Sequence, residues 1–84
     1  MINYRNSFKE YTLNGNVDFD ENTNAITFIN KGTVAVTINN CITLSVNDTL
    51  SIGGNVGEID TTSYRLTFAS GGGNSVIVIT KCYV

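Results

Sequence analysis

The stretch Thr33-Val-Ala-Val-Thr-Ile-Asn-Asn-Cys-Ile-Thr-Leu-Ser-Val46 carries the clearest structural signal in this chain of 84 residues. In its first half, Val34, Val36 and Ile38 alternate with small or polar residues, a period of two that is typical of a half-buried β-strand. Asn39-Asn40 then predicts a tight turn, because asparagine tolerates the left-handed backbone conformation that hairpins require. The stretch therefore predicts a β-hairpin.

The rest of the chain repeats this pattern of short strands and turns. Ile26 and Phe28 share a face of one predicted strand, and Asn14-Gly15 predicts a second hairpin, between Tyr11–Leu13 and Val17–Phe19. Helical periodicity is absent, and turn residues recur every few positions. We expect an all-β protein, a single compact antiparallel β-sandwich of seven to eight short strands over residues 1–84, jelly-roll-like or Ig-like, with residues 1–10 as an N-terminal arm.

The last apolar run, Ser75–Val84, differs from the other predicted strands. Val76 and Val78 face one way, and Ile77 and Ile79 face the other, so both faces favour burial. Such a strand is either central in the sandwich or exposed to a partner subunit, and we favour the central position.

Composition excludes several classes of protein. Five basic and seven acidic residues give a net charge of −2, and the basic residues are scattered, which argues against nucleic-acid binding. We find no apolar run long enough for a membrane span and no signal peptide, so we expect the chain to be made in the cytoplasm and not as a secretory precursor. A chain this small has a limited core, which favours self-association.

Catalytic and metal-binding patterns are also missing. The chain has no His to activate a nucleophile, and the acid pairs Asp18/Asp20 and Glu58/Asp60 are expected to be solvated loop ends. We expect no enzyme activity and no cofactor. Oxygen-bearing side chains recur at every second position of one predicted turn, as a calcium loop begins: Asp18, Asp20, Asn22 and Asn24. Thr23 stands where that loop needs Gly and Ile29 where it needs Glu, so a plain turn is favoured and no metal is expected.

The glycine-rich stretch Ser51–Asp60 lacks the Lys-Ser/Thr ending of a phosphate-binding loop and is flanked by predicted strands. It is better interpreted as a corner where the chain crosses between sheets. Cys41 and Cys82 are expected to be reduced, buried thiols, and a disulfide between them is the alternative.

A small carbohydrate- or surface-binding module is the alternative function. Its aromatic platform would be formed by tyrosines, since the chain contains no Trp: Tyr4, Tyr11, Tyr64 and Tyr83. Tyr64 alternates in phase with Leu66 and Phe68 and is therefore expected in the core.

A set of motifs in Phe28–Phe68, about half the chain, suggests a family. These motifs are the turn Asn30-Lys31-Gly32, the strand end Ile38-Asn39, Leu44 before a turn, and Gly54-Asn55-Val56-Gly57-Glu58-Ile59; Lys81-Cys82-Tyr83 adds a Lys-x-Tyr ending. The chain thereby resembles small all-β accessory virion proteins of tailed bacteriophages of Bacteroidetes hosts, particularly the crAss-like group. It departs from their pattern at Asn47-Asp48, where a Pro-Gly turn would be expected, and at Cys41 and Cys82, which have no place in that pattern.

The resemblance implies a non-enzymatic structural accessory subunit of a phage virion, in a head decoration, a fibre anchor or a tail. Its partners would be itself, as a homo-oligomer, and other virion proteins; by analogy with fibres, a trimer is one expected form. The loops Gly53–Asp60 and Ser70–Asn74 are expected contact points. The residues expected to make assembly contacts are Gly54, Asn55, Gly57, Glu58, Ile77 and Ile79.

Overall fold

Eight β-strands and no helix make up the computed structural model, which describes residues 2–84. The strands are β1 (Tyr4–Tyr11), β2 (Gly15–Asn16), β3 (Thr23–Asn30), β4 (Val36–Ile38), β5 (Ile42–Leu44), β6 (Thr49–Gly53), β7 (Arg65–Phe68) and β8 (Val76–Tyr83). The predicted all-β class is confirmed. Most of the predicted arm is strand β1, and Met1 lies outside the described residues.

The strands form two sheets of four, and every neighbouring pair is antiparallel. Sheet A has the order β1-β8-β3-β6, and sheet B has the order β2-β7-β4-β5. The core lies between the sheets. Phe28 and Ile26 come from sheet A and Leu66 and Val36 from sheet B, and all four are fully buried.

The hairpin at Asn39-Asn40 is confirmed. Both asparagines have φ of 53°, and the Cys41 N–H donates to the carbonyl of Ile38, as in the two-residue turns that join antiparallel strands. Val36 lies opposite Leu44, and both side chains are buried. Strand β4 begins only at Val36, because the residues before it cross from one sheet to the other.

The second predicted hairpin, at Asn14-Gly15, is wrong. Strand β1 belongs to sheet A and β2 to sheet B, so this segment carries the chain between the sheets. The Asn14 side chain explains why: its Oδ1 accepts a hydrogen bond of 2.8 Å from the N–H of Phe68, and Gly15 pairs with Leu66. Asn14 and Gly15 therefore bind β7 of sheet B, one through its side chain and the other through strand pairing, and do not close a hairpin.

Asn30 holds the crossover from β3 to β4 together from inside the protein. Its Nδ2 donates to the carbonyls of Val34 at 2.9 Å and Leu44 at 3.1 Å, and its Oδ1 accepts from the N–H of Gly32 at 3.0 Å. Asn30 is fully buried. One side chain therefore satisfies three backbone groups that the irregular segment would otherwise bury without partners.

The cysteine prediction holds for only one residue. Both thiols are free; Cys82 is buried, but Cys41 is exposed. Cys41 follows the left-handed Asn40 at the tip of the β4–β5 hairpin, and β5 is an edge strand of sheet B. The Cys41 thiol therefore lies at the surface, where neither sheet packs against it.

Candidate functional site

Strand β8 is central in sheet A, between β1 and β3, as the favoured interpretation predicted. Val76 and Val78 point into the core and are buried. Ile77 and Ile79 point to the other side of the sheet and are only half-buried. Both faces of this strand are apolar, but sheet B covers only one of them.

An apolar patch continues from β8 onto both neighbouring strands. Ile29 of β3 lies opposite Ile77, and Phe8 of β1 lies opposite Ile79. Phe8 is 69 % exposed. We call the four side chains Phe8, Ile29, Ile77 and Ile79 the outer patch. A contiguous apolar area on one flat sheet face is typical of a protein contact surface.

Polar and aromatic groups border the outer patch. Glu10 lies opposite Ile77, and the Nζ of Lys81 lies 4.2 Å from the centre of the Tyr4 ring. An apolar centre with a polar margin is the usual arrangement of a protein–protein interface.

The glycine-rich loop, Gly53–Asp60, is a corner that takes the chain from sheet A to sheet B, as predicted. Gly53 and Gly57 have φ of 82° and 83°, a conformation that favours glycine. Buried Asn24 fixes the loop, since its Nδ2 donates to the carbonyls of Asn55 at 2.7 Å and Glu58 at 2.8 Å.

The loop therefore packs first on its own chain, and its tip meets the outer side of sheet A. The Gly57 N–H donates to the hydroxyl of Tyr83, which lies on the same face of β8 as Ile77 and Ile79. Gly54, Asn55, Gly57 and Glu58 are exposed. The six predicted contact residues thus border one face of sheet A, with the two isoleucines in its centre and the loop at one end.

The other predicted contact loop, Ser70–Asn74, is tied to the chain from two sides. The carbonyl of Gly73 accepts from the N–H of Thr33, and Asn74 Nδ2 donates to the carbonyl of Thr12. This loop joins β7 to β8 and so connects the two sheets.

Tyr64 and Asp60 form the strongest polar pair beneath the loop. Tyr64 is 4 % exposed, packs edge-on against Phe28, and donates its hydroxyl to Asp60 Oδ2 at 2.5 Å. Burial, and then this hydrogen bond, raise the pKa of Tyr64 to about 12. Burial acts to raise the pKa of Asp60, but the hydrogen bonds from Tyr64 and Thr62 outweigh it and leave that pKa below its ordinary value.

We expect Tyr64→Phe to remove an alkaline dependence of stability. The neutral phenol is favoured in the fold, so its contribution is present below pH 10.0 and is lost as pH rises towards about 12. The contribution of Asp60 is present above pH 3.8 and is lost as pH falls through its lowered pKa. At pH 7, urea denaturation should show that Tyr64→Phe lowers the free energy of unfolding by roughly 1.5–3 kcal/mol, the usual contribution of a hydrogen bond to a charged group.

Tyr4→Phe, at an exposed tyrosine, is the matched control and should leave the stability and its pH profile unchanged. Equal alkaline profiles for wild type and Tyr64→Phe would contradict the assignment.

An open cleft of about 500 Å³ collects three carboxyl groups beside Asp60 of this pair, those of Asp18, Asp20 and Glu21. Asp18 lies 3.7 Å from the Lys9 ammonium, and Asp20 Oδ1 accepts from the N–H of Asn22 at 2.9 Å. The turn predicted from the oxygen-bearing side chains of Asp18 to Asn24 is confirmed by the hydrogen bond from the Thr23 N–H to the Asp20 carbonyl. The chemistry of these acids is that of turns and one surface ion pair. Among residues 2–84, no three Cys, Asp or Glu side chains group closely enough to hold a metal ion.

The tyrosines do not form one platform. Tyr64 lies in the core, as predicted, and Tyr11 binds the backbone of Asp18 through its hydroxyl. Tyr4 and Tyr83 are neighbours across β1 and β8, but Lys81 occupies a face of the Tyr4 ring.

Sequence reasoning missed Phe8 and Ile29, the two members of the outer patch outside β8. Phe8 stands among polar residues that predict an arm, and its position is fixed only by the pairing with Ile79. For Ile29 a signal was present, because Ala25, Thr27 and Ile29 share the face opposite to Ile26 and Phe28.

The class defined by the described chain is a small all-β domain of two antiparallel sheets with an uncovered apolar face. Comparison with protein-family models found no match, and the searches of curated proteins and of solved structures found no protein similar to this chain. Residues 2–84 include no helix long and apolar enough to cross a membrane.

Proposed function

We propose that this chain is a non-enzymatic structural subunit that acts by packing against other protein subunits. The observation that carries the proposal is the outer patch, in which Phe8, Ile29, Ile77 and Ile79 lie side by side on a face of sheet A that sheet B leaves uncovered. Burying this face against a second protein surface would remove apolar area from water, the main driving force of protein association.

The finer fold in this proposal is a β-sandwich, jelly-roll-like or Ig-like. Its support is a single core to which both sheets contribute side chains. Phe28 and Val78 come from sheet A, and Leu66 of β7 in sheet B and Tyr64, directly before β7, belong to the same core. Inner faces that share one core are typical of sandwich packing.

The particular assembly we propose is a phage virion, in which the chain is an accessory component of head, fibre anchor or tail. The support is the resemblance carried by the turn motifs of Phe28–Phe68, together with the outer patch. In this proposal the partners are further copies of the chain and other virion proteins, and the chain is made in the host cytoplasm.

A pair of polar substitutions in the outer patch tests the proposal. We expect Ile77→Thr combined with Ile79→Thr to raise the dissociation constant of self-association about tenfold or more, since one factor of ten corresponds to only ~1.4 kcal/mol. Threonine keeps the β-branched shape and strand preference while it adds a hydroxyl. The measurement is sedimentation velocity over a concentration series, with circular dichroism to confirm that the fold persists.

The matched control is Ile42→Thr, the same change at a 42 % exposed isoleucine of β5 in sheet B. It should leave self-association unchanged. A folded double variant that assembles like wild type would rule out the outer patch as the contact surface.

A further inference from the structure

Strand β1 presents a long free edge of sheet A. The Val84 N–H donates to the carbonyl of Asn3, which lies directly opposite it in the antiparallel register of β1 and β8. Because bonded and non-bonded pairs alternate in such a ladder, Arg5, Ser7 and Lys9 also turn their backbone groups towards β8. The backbone N–H and C=O groups of the alternate residues therefore point away from the sheet: Tyr4, Asn6, Phe8 and Glu10.

This edge lacks two of the usual protections against pairing, a proline and a β-bulge, although it carries the charged residues Arg5, Lys9 and Glu10. The chain contains no proline, and the β1–β8 register runs from Tyr4 to Tyr11 without a bulge. Among the described residues, no backbone partner is found for the outward groups of β1. Phe8, in the middle of the edge, exposes an aromatic ring to water.

We propose that the occupant of this edge is β1 of a second copy, paired antiparallel about a two-fold axis at Phe8, so that two A sheets become one continuous sheet. The inference rests on the proposed function only in taking self-association as the role of the chain; it specifies where and how two copies meet. It gives a dimer as the first step of assembly, whereas the analogy with fibres made a trimer one expected form.

Backbone hydrogen bonds across the new boundary form only in registers in which the outward-pointing residues of the two copies face each other. An axis at Ser7 would place Arg5 directly opposite Lys9 of the second copy, and would do so twice, which is unfavourable. An axis at Asn6 would leave the last part of β1 beyond the start of the partner strand. An axis at Phe8 pairs residues 5–11 of both copies and opposes no like charges.

The Phe8-centred register also gives Arg5 a partner. Within residues 2–84 the guanidinium of Arg5 makes no salt bridge. In this register Arg5 lies opposite Tyr11 of the second copy, whose hydroxyl is bonded to the backbone of Asp18. The Asp18 side chain is 84 % exposed and lies 3.7 Å from the Lys9 ammonium, which also stands over the Tyr11 ring. The Arg5 guanidinium would therefore join Lys9 at this corner, beside an aromatic ring and a carboxylate.

On the outer side, the same register joins the two outer patches. Phe8 meets Phe8 of the second copy, and Asn6 meets Glu10. Each of these opposed pairs exchanges two backbone hydrogen bonds across the new strand boundary. The apolar strip then runs from Ile29 of one copy, through both phenylalanines, to Ile29 of the other.

Proline at position 6 is the sharpest test, because the Asn6 N–H points outward and takes no part in the β8 ladder. We expect Asn6→Pro to remain folded by circular dichroism but to raise the dimer dissociation constant by at least about tenfold. Asn6→Ala is the matched control: it keeps the N–H and should remain a dimer. The readout is native mass by light scattering after size exclusion, where the wild type should approach twice the 9.1 kDa chain mass.

Disulfide trapping tests the register itself. In a Cys41→Ser background, which removes the exposed native thiol, Phe8→Cys should cross-link on oxidation with copper phenanthroline, because opposed Cα atoms ~5.5 Å apart allow a disulfide. Asn6→Cys, on the same edge and face, should not, since the two Asn6 positions are four residues out of register.

The outcomes separate this inference from the proposed function. A folded Asn6→Pro protein that associates like wild type, or a failure of Phe8→Cys to cross-link while Asn6→Cys does, overturns the β1 pairing. If the isoleucine double variant still weakens assembly in that case, the proposed function stands without the edge contact. A wild type that remains monomeric at every concentration overturns the edge pairing outright.

Discussion

Phe28→Ala is expected to lower the free energy of unfolding by about 3–5 kcal/mol, the usual cost of deleting a large buried ring. Phe28 is fully buried, lies between Val78 and Leu50 across the sheet, and packs 5.4 Å from the Tyr64 ring of the other layer. A cavity there would separate the two sheets at their common core. Small domains have a total stability of only about 5–15 kcal/mol, so much of the stability would be lost. Urea denaturation followed by circular dichroism measures the change.

Phe8→Ala provides the matched comparison, since the same side chain is deleted from a position that is 69 % exposed. At concentrations where the protein is monomeric, its stability should change by no more than about 0.5 kcal/mol. Similar losses for the two variants would show that Phe28 is not the centre of the core. At higher concentrations Phe8→Ala should also weaken self-association, because Phe8 lies on the proposed two-fold axis.

Asn30→Asp should be nearly as destabilising, although it changes a single group. The amide Nδ2, which donates to the carbonyls of Val34 and Leu44, would become an oxygen that faces both acceptors. Each buried carbonyl left without its donor costs roughly 1–3 kcal/mol, so we expect a loss of about 3 kcal/mol or more at pH 7.

The pH dependence of the stability of Asn30→Asp distinguishes an electrostatic cause, the buried carboxylate, from a general disruption of packing. Burial beside two carbonyl oxygens raises the pKa of the introduced carboxyl in the folded state. The stability of Asn30→Asp relative to wild type is therefore highest below the unfolded pKa of ~3.9 and falls as pH rises through the raised folded pKa. Asn16→Asp, at an exposed position, is the control and should show no such fall. A deficit that does not vary with pH would contradict the role assigned to the Asn30 amide.

Local patterns predicted the strands but not always their connections. Asn39-Asn40 formed the predicted hairpin, because its neighbours Val36 and Leu44 are both core residues that gain by facing each other. Asn14-Gly15 has an even stronger local hairpin signal, yet it joins two sheets. The difference lies in the long-range bond from Phe68 N–H to Asn14 Oδ1, which no local pattern contains.

The candidate site was predictable in part. The apolar residues on both faces of β8 predicted either a central strand or a strand exposed to a partner subunit. Strand β8 is central, and Ile77 and Ile79 lie on the face that sheet B leaves uncovered. The width of that surface depends on which strands flank β8. The pairing of β8 with the N-terminal strand spans nearly the whole chain, so Phe8 joins the patch through a contact that sequence spacing cannot indicate.

The sequence by itself determined the all-β class, most of the turns and the residues that alternate into the core, because these depend on side-chain period and on the backbone preferences of Asn and Gly. Only the tertiary structure decided the strand order, the sheet to which each strand belongs, the burial of Asn30 and the free edge of β1. These features arise from hydrogen bonds and packing between residues far apart in the chain, whose free energies are realised only when the whole fold brings them together.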